Sequence, residues 1–168
     1  MEEKKVSQGA AAVRNGQAAE KSILPVLGSC GFDIFTETQV EKQPELVKGK
    51  DRYILKNSKY TSIYGNPNCR TEYVIVDKGR RVRVEVRFQS VAGSVDEKMP
   101  YMLLNAIMAY PEKEVVLVVD GNGYRSTSRQ WVQDRLDENW LDYKSKGKDI
   151  KLVSIGDFLS WVSKEFAA

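Results

Sequence analysis

Histidine is absent from all 168 residues of the sequence. Without imidazole, serine–histidine–aspartate triads, cysteine–histidine nucleophiles and histidine-ligated zinc sites are excluded. The two cysteines, Cys30 and Cys69, are too few for a disulfide framework, and we expect both to be reduced thiols. Hydrolytic chemistry in this chain must therefore use carboxylates, lysine, arginine, tyrosine or a hard metal ion such as Mg²⁺.

Long apolar runs are also absent. No stretch approaches the ~18 apolar residues that a membrane span needs, and the opening segment has no apolar signal-peptide core. We therefore expect a cytoplasmic protein without membrane contact. Hydrophobic residues make up 42% of the chain, and the length suits one domain, 1–168, with its own core.

Positive charge is concentrated in the middle of the chain. Residues 42–87, here called the basic segment, contain twelve Lys/Arg against five Asp/Glu, whereas the whole chain has a net charge of only +3. Such a cluster is typical of a protein that binds a phosphate backbone. The alternative interpretation is a solvated basic surface loop without a partner.

Hydrophobic periodicity predicts the order α-β-β-β-α-β-α-β-α, an α/β fold with a mixed sheet between helices. The predicted helices span 10–29, 94–110, 127–146 and 157–166, and the strands span 32–38, 71–76, 81–89, 115–119 and 151–155. Ser94–Glu97 is a capping-box pattern that opens the predicted helix running to Tyr110. A short strand is predicted at 53–56, within a basic, turn-rich stretch at 39–70.

The strand at 81–89 alternates strictly between apolar and polar residues. Its polar face presents Arg81, Arg83, Glu85, Arg87 and Gln89. Glu72 begins the partner strand of the same predicted hairpin, and the two carboxylates meet at one end of the sheet if the hairpin flares. Mg²⁺ needs only a few carboxylate ligands, and a neighbouring cation can stabilise developing negative charge. The alternative for Glu85 is a cross-strand ion pair with the arginines, and for Glu72 an exposed strand start.

The segment Arg70-Thr-Glu72, followed by Arg83-Val-Glu85-Val-Arg87-Phe-Gln89, resembles the acid-x(n)-acid-x-Lys pattern of the PD-(D/E)XK nuclease superfamily. The continuation Val91-Ala-Gly-Ser-Val-Asp-Glu-Lys98, with Tyr101 and Asn105, resembles its small restriction-like members, and Gly16-Gln-Ala-Ala-Glu20 resembles its first helix. The resemblance covers roughly residues 14–125. It implies a restriction-endonuclease-like mixed β-sheet flanked by helices, with an αβββαβ core and a basic DNA-contacting insertion at about 39–70.

The resemblance also implies a function. We expect a Mg²⁺-dependent DNA endonuclease, with Mn²⁺ substituting, in a bacterial, archaeal or phage-infected cell. The implied metal ligands are Glu20, Glu72 and Glu85; the implied catalytic residues are Glu72, Glu85, Arg87, Gln89 and Lys98. Glu72 replaces the usual aspartate, and Arg87 replaces the usual lysine. A guanidinium stays protonated and cannot act as a general base, but it can hold a phosphoryl oxygen, and Lys98 can supply an ammonium instead.

The expected partner is double-stranded DNA, bound by a homodimer because cutting both strands requires two copies of so small a domain. The residues predicted to contact DNA are Lys56, Lys59, Tyr60, Tyr64, Asn66, Asn68 and Arg70. Two alternatives remain open at this point. One is a non-catalytic DNA-binding protein on the same scaffold, which Arg87 favours, and the other is a protein-interaction domain for an acidic partner. Restriction, homing, junction resolution and phage nuclease roles are all compatible with the sequence.

Overall fold

A computed structural model of the protein describes residue 19, residues 21–90 and residues 96–167. Within these ranges the helices are α1 (21–29), α2 (Glu37–Lys42), α3 (Lys98–Met108), α4 (Ser126–Asp137) and α5 (Ile155–Glu165). The strands are β1 (Asp33–Thr36), β2 (Arg52–Tyr60), β3 (Cys69–Asp77), β4 (Arg80–Phe88), β5 (Glu114–Asp120) and β6 (Asp149–Val153). Short 3₁₀ helices lie at Pro44–Val47 and Trp140–Asp142.

The six strands form one sheet in which spatial order follows chain order. The β1–β2, β4–β5 and β5–β6 pairs are parallel, whereas β2–β3 and β3–β4 are antiparallel. Parallel neighbours need a crossover connection, and α3 and α4 supply it for the last three strands. The predicted α/β class and the mixed sheet flanked by helices are therefore confirmed.

Two apolar layers cover the sheet. On one face, α1 and α5 pack through Ile23, Leu27 and Phe158 against Val82 and Val84 of β4. On the other face, Leu103 and Ala106 of α3 and Val132 of α4 pack against Leu117 of β5. Because the valines of β4 belong to the first layer, its alternate residues face the α3 layer, as the strict alternation predicted. Glu85 and Arg83 are buried on that second face, at 1% and 2% exposure.

The region before β3 differs from its prediction. The short strand expected at 53–56 is the first half of the nine-residue strand β2, and α2 and a 3₁₀ helix precede it. This strand is therefore a full member of the sheet that the predicted element order left out, and the predicted insertion at 39–70 is mostly regular structure, with a remaining loop at 61–68. Asn57 explains why the sequence pattern predicted only a short strand here. Its left-handed φ of 53° interrupts the alternation of side chains along β2.

Two helix ends were also predicted wrongly. The residue that caps α3 is Glu97, which makes no side-chain cap hydrogen bond. The Asp96 carboxylate instead accepts from the Ser128 hydroxyl at 2.6 Å, and Ser94 lies outside the described residues. Helix α4 ends at Asp137 rather than near 146, because Asn139 and Leu141 adopt left-handed φ angles of 53° and 57°.

None of the helices in the described ranges combines the length and the apolar character that crossing a bilayer requires.

Candidate active site

Glu72 and Glu85 lie where β3 and β4 separate. The paired residues of these strands run from Asp77–Arg80 to Tyr73–Val84, so each carboxylate stands one residue beyond the last pair. Strand β4 continues beside β5 as far as Phe88. The Glu72 carboxylate accepts a hydrogen bond from the Val86 amide at 2.7 Å, which fixes it against β4 at the fork. The flared hairpin that the sequence analysis required therefore exists.

Glu85 is a buried carboxylate with incomplete compensation. It forms an ion pair with Arg87 through Oε1, while its Oε2 has no hydrogen-bond partner among the described residues. Burial raises the pKa of Glu85 to about 7, with the Arg87 charge opposing that rise and the Glu72 charge adding to it. A buried acid beside a second acid, with one oxygen unsatisfied, is costly for a purely structural position. Two carboxylates at one place can supply oxygen ligands to a hard cation.

Arg87 supplies the positive charge of the site. Its side chain is 38% exposed, so it borders the surface while contacting buried Glu85. The charge of Glu85 raises the pKa of Arg87, with burial opposing, so the guanidinium is protonated at every accessible pH. Arg87 is therefore excluded as a general base, and it remains suited to binding an anionic group.

The end of β4 beyond Arg87 is held by the turn that follows β5. The backbone N–H of Gln89 donates to the backbone carbonyl of Asp120 at 3.1 Å. The backbone carbonyl of Gln89 accepts from the backbone N–H of Gly123 at 2.8 Å. A Cβ on Gly121 would stand 2.2 Å from the Gln89 carbonyl oxygen, so only glycine fits. The Asp120 carboxylate accepts from the Ile155 amide at the start of α5, a structural role.

Two other predicted site residues, Glu20 and Lys98, are not placed beside these carboxylates by the described part of the structure. Glu20 lies outside the described residues; its neighbours Ala19 and Ile23 belong to the α1 layer. Lys98 is the exposed first residue of α3, and no hydrogen bond or ion pair within the described ranges joins it to Glu72 or Glu85. The structure thus brings together Glu72, Glu85 and Arg87, and Gln89 follows directly after the end of β4.

Sequence reasoning missed the tyrosines around the carboxylates. Burial raises the pKa of Tyr110 and the Glu85 charge adds to that rise, while a side-chain hydrogen bond from Tyr110 lowers the pKa of Glu85. Tyr60 packs edge-to-face on Tyr110, with ring centroids 4.7 Å apart. Tyr124 has a pKa raised by burial, with Arg87 opposing and Glu85 adding. Sequence analysis treated Tyr110 only as the end of the predicted helix 94–110; the available signal was that a buried tyrosine hydroxyl needs a polar partner.

The residues predicted to contact DNA divide into buried and exposed members. Tyr60 is 8% exposed and packs inside the protein, so its placement on a DNA-facing surface was wrong. The Lys59 ammonium pairs with Glu41 at 2.6 Å. Lys56 is half-buried in β2. The exposed members are Tyr64, Asn66 and Asn68 in the loop 61–68 and Arg70 at the start of β3.

The basic segment is largely neutralised within the fold. Within the described ranges, at least eight of its twelve cations lie within ion-pair distance of a carboxylate: Lys48, Lys50, Arg52, Lys59, Arg80, Arg81, Arg83 and Arg87. The most buried example joins Arg83 to Glu112 at 2.5 Å. Burial favours a higher pKa for Glu112, but the hydrogen bond and charge of Arg83 outweigh it and lower that pKa. The charge count therefore overstated the surface available to a polyanion.

Within the described ranges, no three histidine, cysteine, aspartate or glutamate side chains form a cluster able to hold a metal ion. Two carboxylates are nevertheless a workable protein contribution for Mg²⁺, which retains several waters and takes further oxygens from a phosphate substrate. Glu72 and Glu85 fit that requirement, because their like charges converge and Glu85 Oε2 has no hydrogen-bond partner among these residues.

A family model for the PD-(D/E)XK nuclease superfamily domain matches residues 11–166. No curated protein matches the chain. No solved structure matches it either.

Proposed function

We propose, since this chain belongs to the PD-(D/E)XK nuclease superfamily, that it is a metal-dependent endonuclease hydrolysing DNA phosphodiester bonds. The observation that carries the proposal is the pair formed by Glu72 and buried Glu85 at the fork of β3 and β4, with Arg87 beside it. The family gives the nuclease class. DNA as the substrate and the metal requirement belong to the proposal.

Glu72 and Glu85 would hold the metal ion, for which Mg²⁺ is the expected species and Mn²⁺ a substitute. When bound, such an ion supplies an acidified water and neutralises charge that develops on the scissile phosphate. Glu20 is retained as a proposed third ligand. The Val86 amide keeps the Glu72 carboxylate in place at 2.7 Å, so one of the two ligands is oriented before any ion arrives.

Arg87 would bind a non-bridging oxygen of the scissile phosphate. A guanidinium offers several donors in a fixed plane, and its permanent charge offsets negative charge that increases during attack on phosphorus. Its contact with Glu85 positions it without consuming all of those donors. Gln89 and Lys98 remain proposed auxiliary residues, and a homodimer remains the proposed unit for cutting both strands of a duplex.

A second candidate function is DNA binding without cleavage, and Arg87 is the observation that favours it. The superfamily pattern places lysine at this position. A chain that has lost catalysis but kept its substrate surface would bind DNA with a strong dependence on salt and would cut nothing.

Incubation of the purified protein with supercoiled plasmid, in Mg²⁺, in Mn²⁺ and in chelator, separates the two candidates. The endonuclease proposal predicts nicking or linearisation with either metal and none in chelator. Fluorescence anisotropy with labelled duplex, at two salt concentrations, measures binding on the same preparation. Salt-dependent binding without cleavage in either metal would overturn the endonuclease proposal and support the binding protein.

A further inference from the structure

The loop 61–68 between β2 and β3 presents an unusually exposed aromatic ring. Tyr64 is 81% exposed, more than the other exposed large hydrophobic residues of the described ranges, Ile34, Met108 and Leu141. One face of its ring stacks on Tyr101 of α3, with centroids 5.4 Å apart and planes inclined by 17°. Since Tyr101 covers one face, the exposure belongs mainly to the other face of the Tyr64 ring.

This loop is held rigidly in place. The Ile63 amide donates to Asn105 Oδ1 at 3.0 Å, and Asn105 Nδ2 donates to the Tyr101 carbonyl at 2.8 Å. Asn105 is fully buried, so one side chain ties the loop and the helix turn carrying Tyr101 together. The Ser62 amide also donates to the Asn66 carbonyl at 2.9 Å and closes the loop on itself. Tyr64 is therefore preorganised, which reduces the entropy lost when a ligand stacks on it.

The stacked pair lies on the side of the protein that carries the active site. Tyr60, the last residue of β2 before this loop, packs on Tyr110 beside Glu85. Burial and the Glu85 charge raise the pKa of Tyr60, with smaller contributions from Cys69 and Tyr101. Tyr101 belongs to α3, the helix that covers the sheet face on which Glu85 is buried, so the stacked pair and this carboxylate lie on the same face of the sheet. Arg70, exposed just after the loop, adds a cation for a neighbouring phosphate.

We propose that Tyr64, backed by Tyr101, is a stacking platform for an unpaired nucleobase, so that duplex DNA carrying a single-stranded segment is bound in preference to a blunt duplex. This inference rests on the proposed nuclease function and narrows its substrate. Bases inside a duplex already stack on both sides, so an aromatic face with one open side selects a base from an overhang, gap or flap. Stacking of one base on an aromatic side chain contributes about 1–3 kcal/mol.

Anisotropy with the full chain in chelator tests the platform without any cleavage. The probes are a blunt duplex, the same duplex with a short thymidine overhang, and that duplex with an abasic overhang, which keeps the phosphates and removes the bases. The wild-type protein should bind the thymidine overhang more tightly than the other two probes. Tyr64→Ala should weaken that binding by at least about fivefold, the equivalent of ~1 kcal/mol. In this variant the ratio of the affinities for the thymidine overhang and the abasic overhang should fall towards one.

Two further variants control the result. Tyr64→Phe keeps the ring and should bind like wild type, whereas Met108→Ala removes another exposed apolar side chain, at the end of α3, and should have no effect. Equal binding of thymidine and abasic overhangs by the wild-type protein, or unchanged overhang binding by Tyr64→Ala, would overturn the platform. Because these measurements need no metal, a failed platform leaves the plasmid assay intact, and a failed plasmid assay leaves Tyr64-dependent binding measurable.

Discussion

Arg87 forms an ion pair with the buried carboxylate of Glu85, two residues earlier on the same face of β4. This contact links a buried carboxylate to a partly exposed cation. Glu85 is buried beside a second acid and needs a positive neighbour, and Arg87 provides it while remaining 38% exposed. One residue therefore offsets the charge of buried Glu85 and, in the proposed mechanism, would present a cation to the scissile phosphate.

Replacement of Arg87 tests that double role. Arg87→Ala should lower the cleavage rate about 10²–10³-fold, the usual effect of losing a group that stabilises transition-state charge. It should also destabilise the protein, because it leaves buried Glu85 unpaired. Arg87→Lys restores the superfamily residue and should stay within about tenfold of wild type. Plasmid nicking rates and urea unfolding measure the two effects, and an Arg87→Ala protein that cuts at the wild-type rate would remove Arg87 from the mechanism.

The raised pKa of Glu85 predicts a pH-dependent stability of the metal-free protein. The folded state keeps the Glu85 proton up to about pH 7, whereas the unfolded chain releases it near 4.5. The free energy of unfolding should therefore decrease as pH rises from about 4.5 to 7 and level off above that. The sequence contains no histidine, so no imidazole titrates in this window. Urea unfolding in chelator at pH 5 and pH 8 checks the decrease, and Glu85→Gln should abolish it; a Glu85→Gln protein with the same slope would contradict the assignment.

The buried pair of Arg83 and Glu112 should be structural rather than DNA-binding. Glu112→Gln leaves a buried guanidinium short of its counter-charge and should cost about 3–5 kcal/mol of stability. Glu165→Gln removes a partner of Arg80 from a partly exposed pair and should cost less than about 1 kcal/mol. Urea unfolding compares the two variants. Equal losses from both would show that burial of the Arg83 pair does not matter.

The same pair also predicts acid sensitivity. Because the folded-state pKa of Glu112 is lowered, its contribution to stability is present above about 4.5 and is lost as pH falls through the folded-state pKa. The wild-type protein should lose this contribution below about pH 4.5, and Glu112→Gln should not. Unfolding measured at pH 5 and pH 3.5 for both proteins checks the difference, and parallel losses would refute it.

Local periodicity in the sequence predicted the strands and the direction of their side chains best. The alternation of β4 correctly placed Glu85 and Arg87 on one face, and the flare of the hairpin correctly brought Glu72 to the same end. Charge was less informative, because a count of lysine and arginine does not reveal their partners. Arg83 meets Glu112 from a segment 29 residues away, and no local pattern links them. Backbone choices such as the left-handed Asn139 and Leu141 also depend on tertiary packing, so the early end of α4 was missed.

Gly121 provides a test of how the end of β4 is held. Both Gly121 and Gly79 have positive φ, at 95° and 85°, so alanine at either position is strained by about 1–2 kcal/mol. Only at Gly121 does a Cβ also collide with backbone, 2.2 Å from the Gln89 carbonyl oxygen; at Gly79 nothing lies within 4 Å. Gly121→Ala should therefore be the more destabilising by at least about 1–3 kcal/mol. It should also slow cleavage, whereas Gly79→Ala should leave the cleavage rate unchanged; equal stabilities would refute the clash.

The most direct test of the proposed metal-dependent carboxylate centre is the Mg²⁺-dependent nicking rate of supercoiled plasmid. The rate is compared for the wild-type protein, Glu72→Gln and Glu85→Gln, prepared in the same way and assayed at equal concentration. Each substitution keeps the shape of the side chain and removes its negative charge. We predict metal-dependent nicking by the wild-type protein and a loss of at least about 10²-fold in each variant, with circular dichroism unchanged. Wild-type rates in both variants would contradict the account.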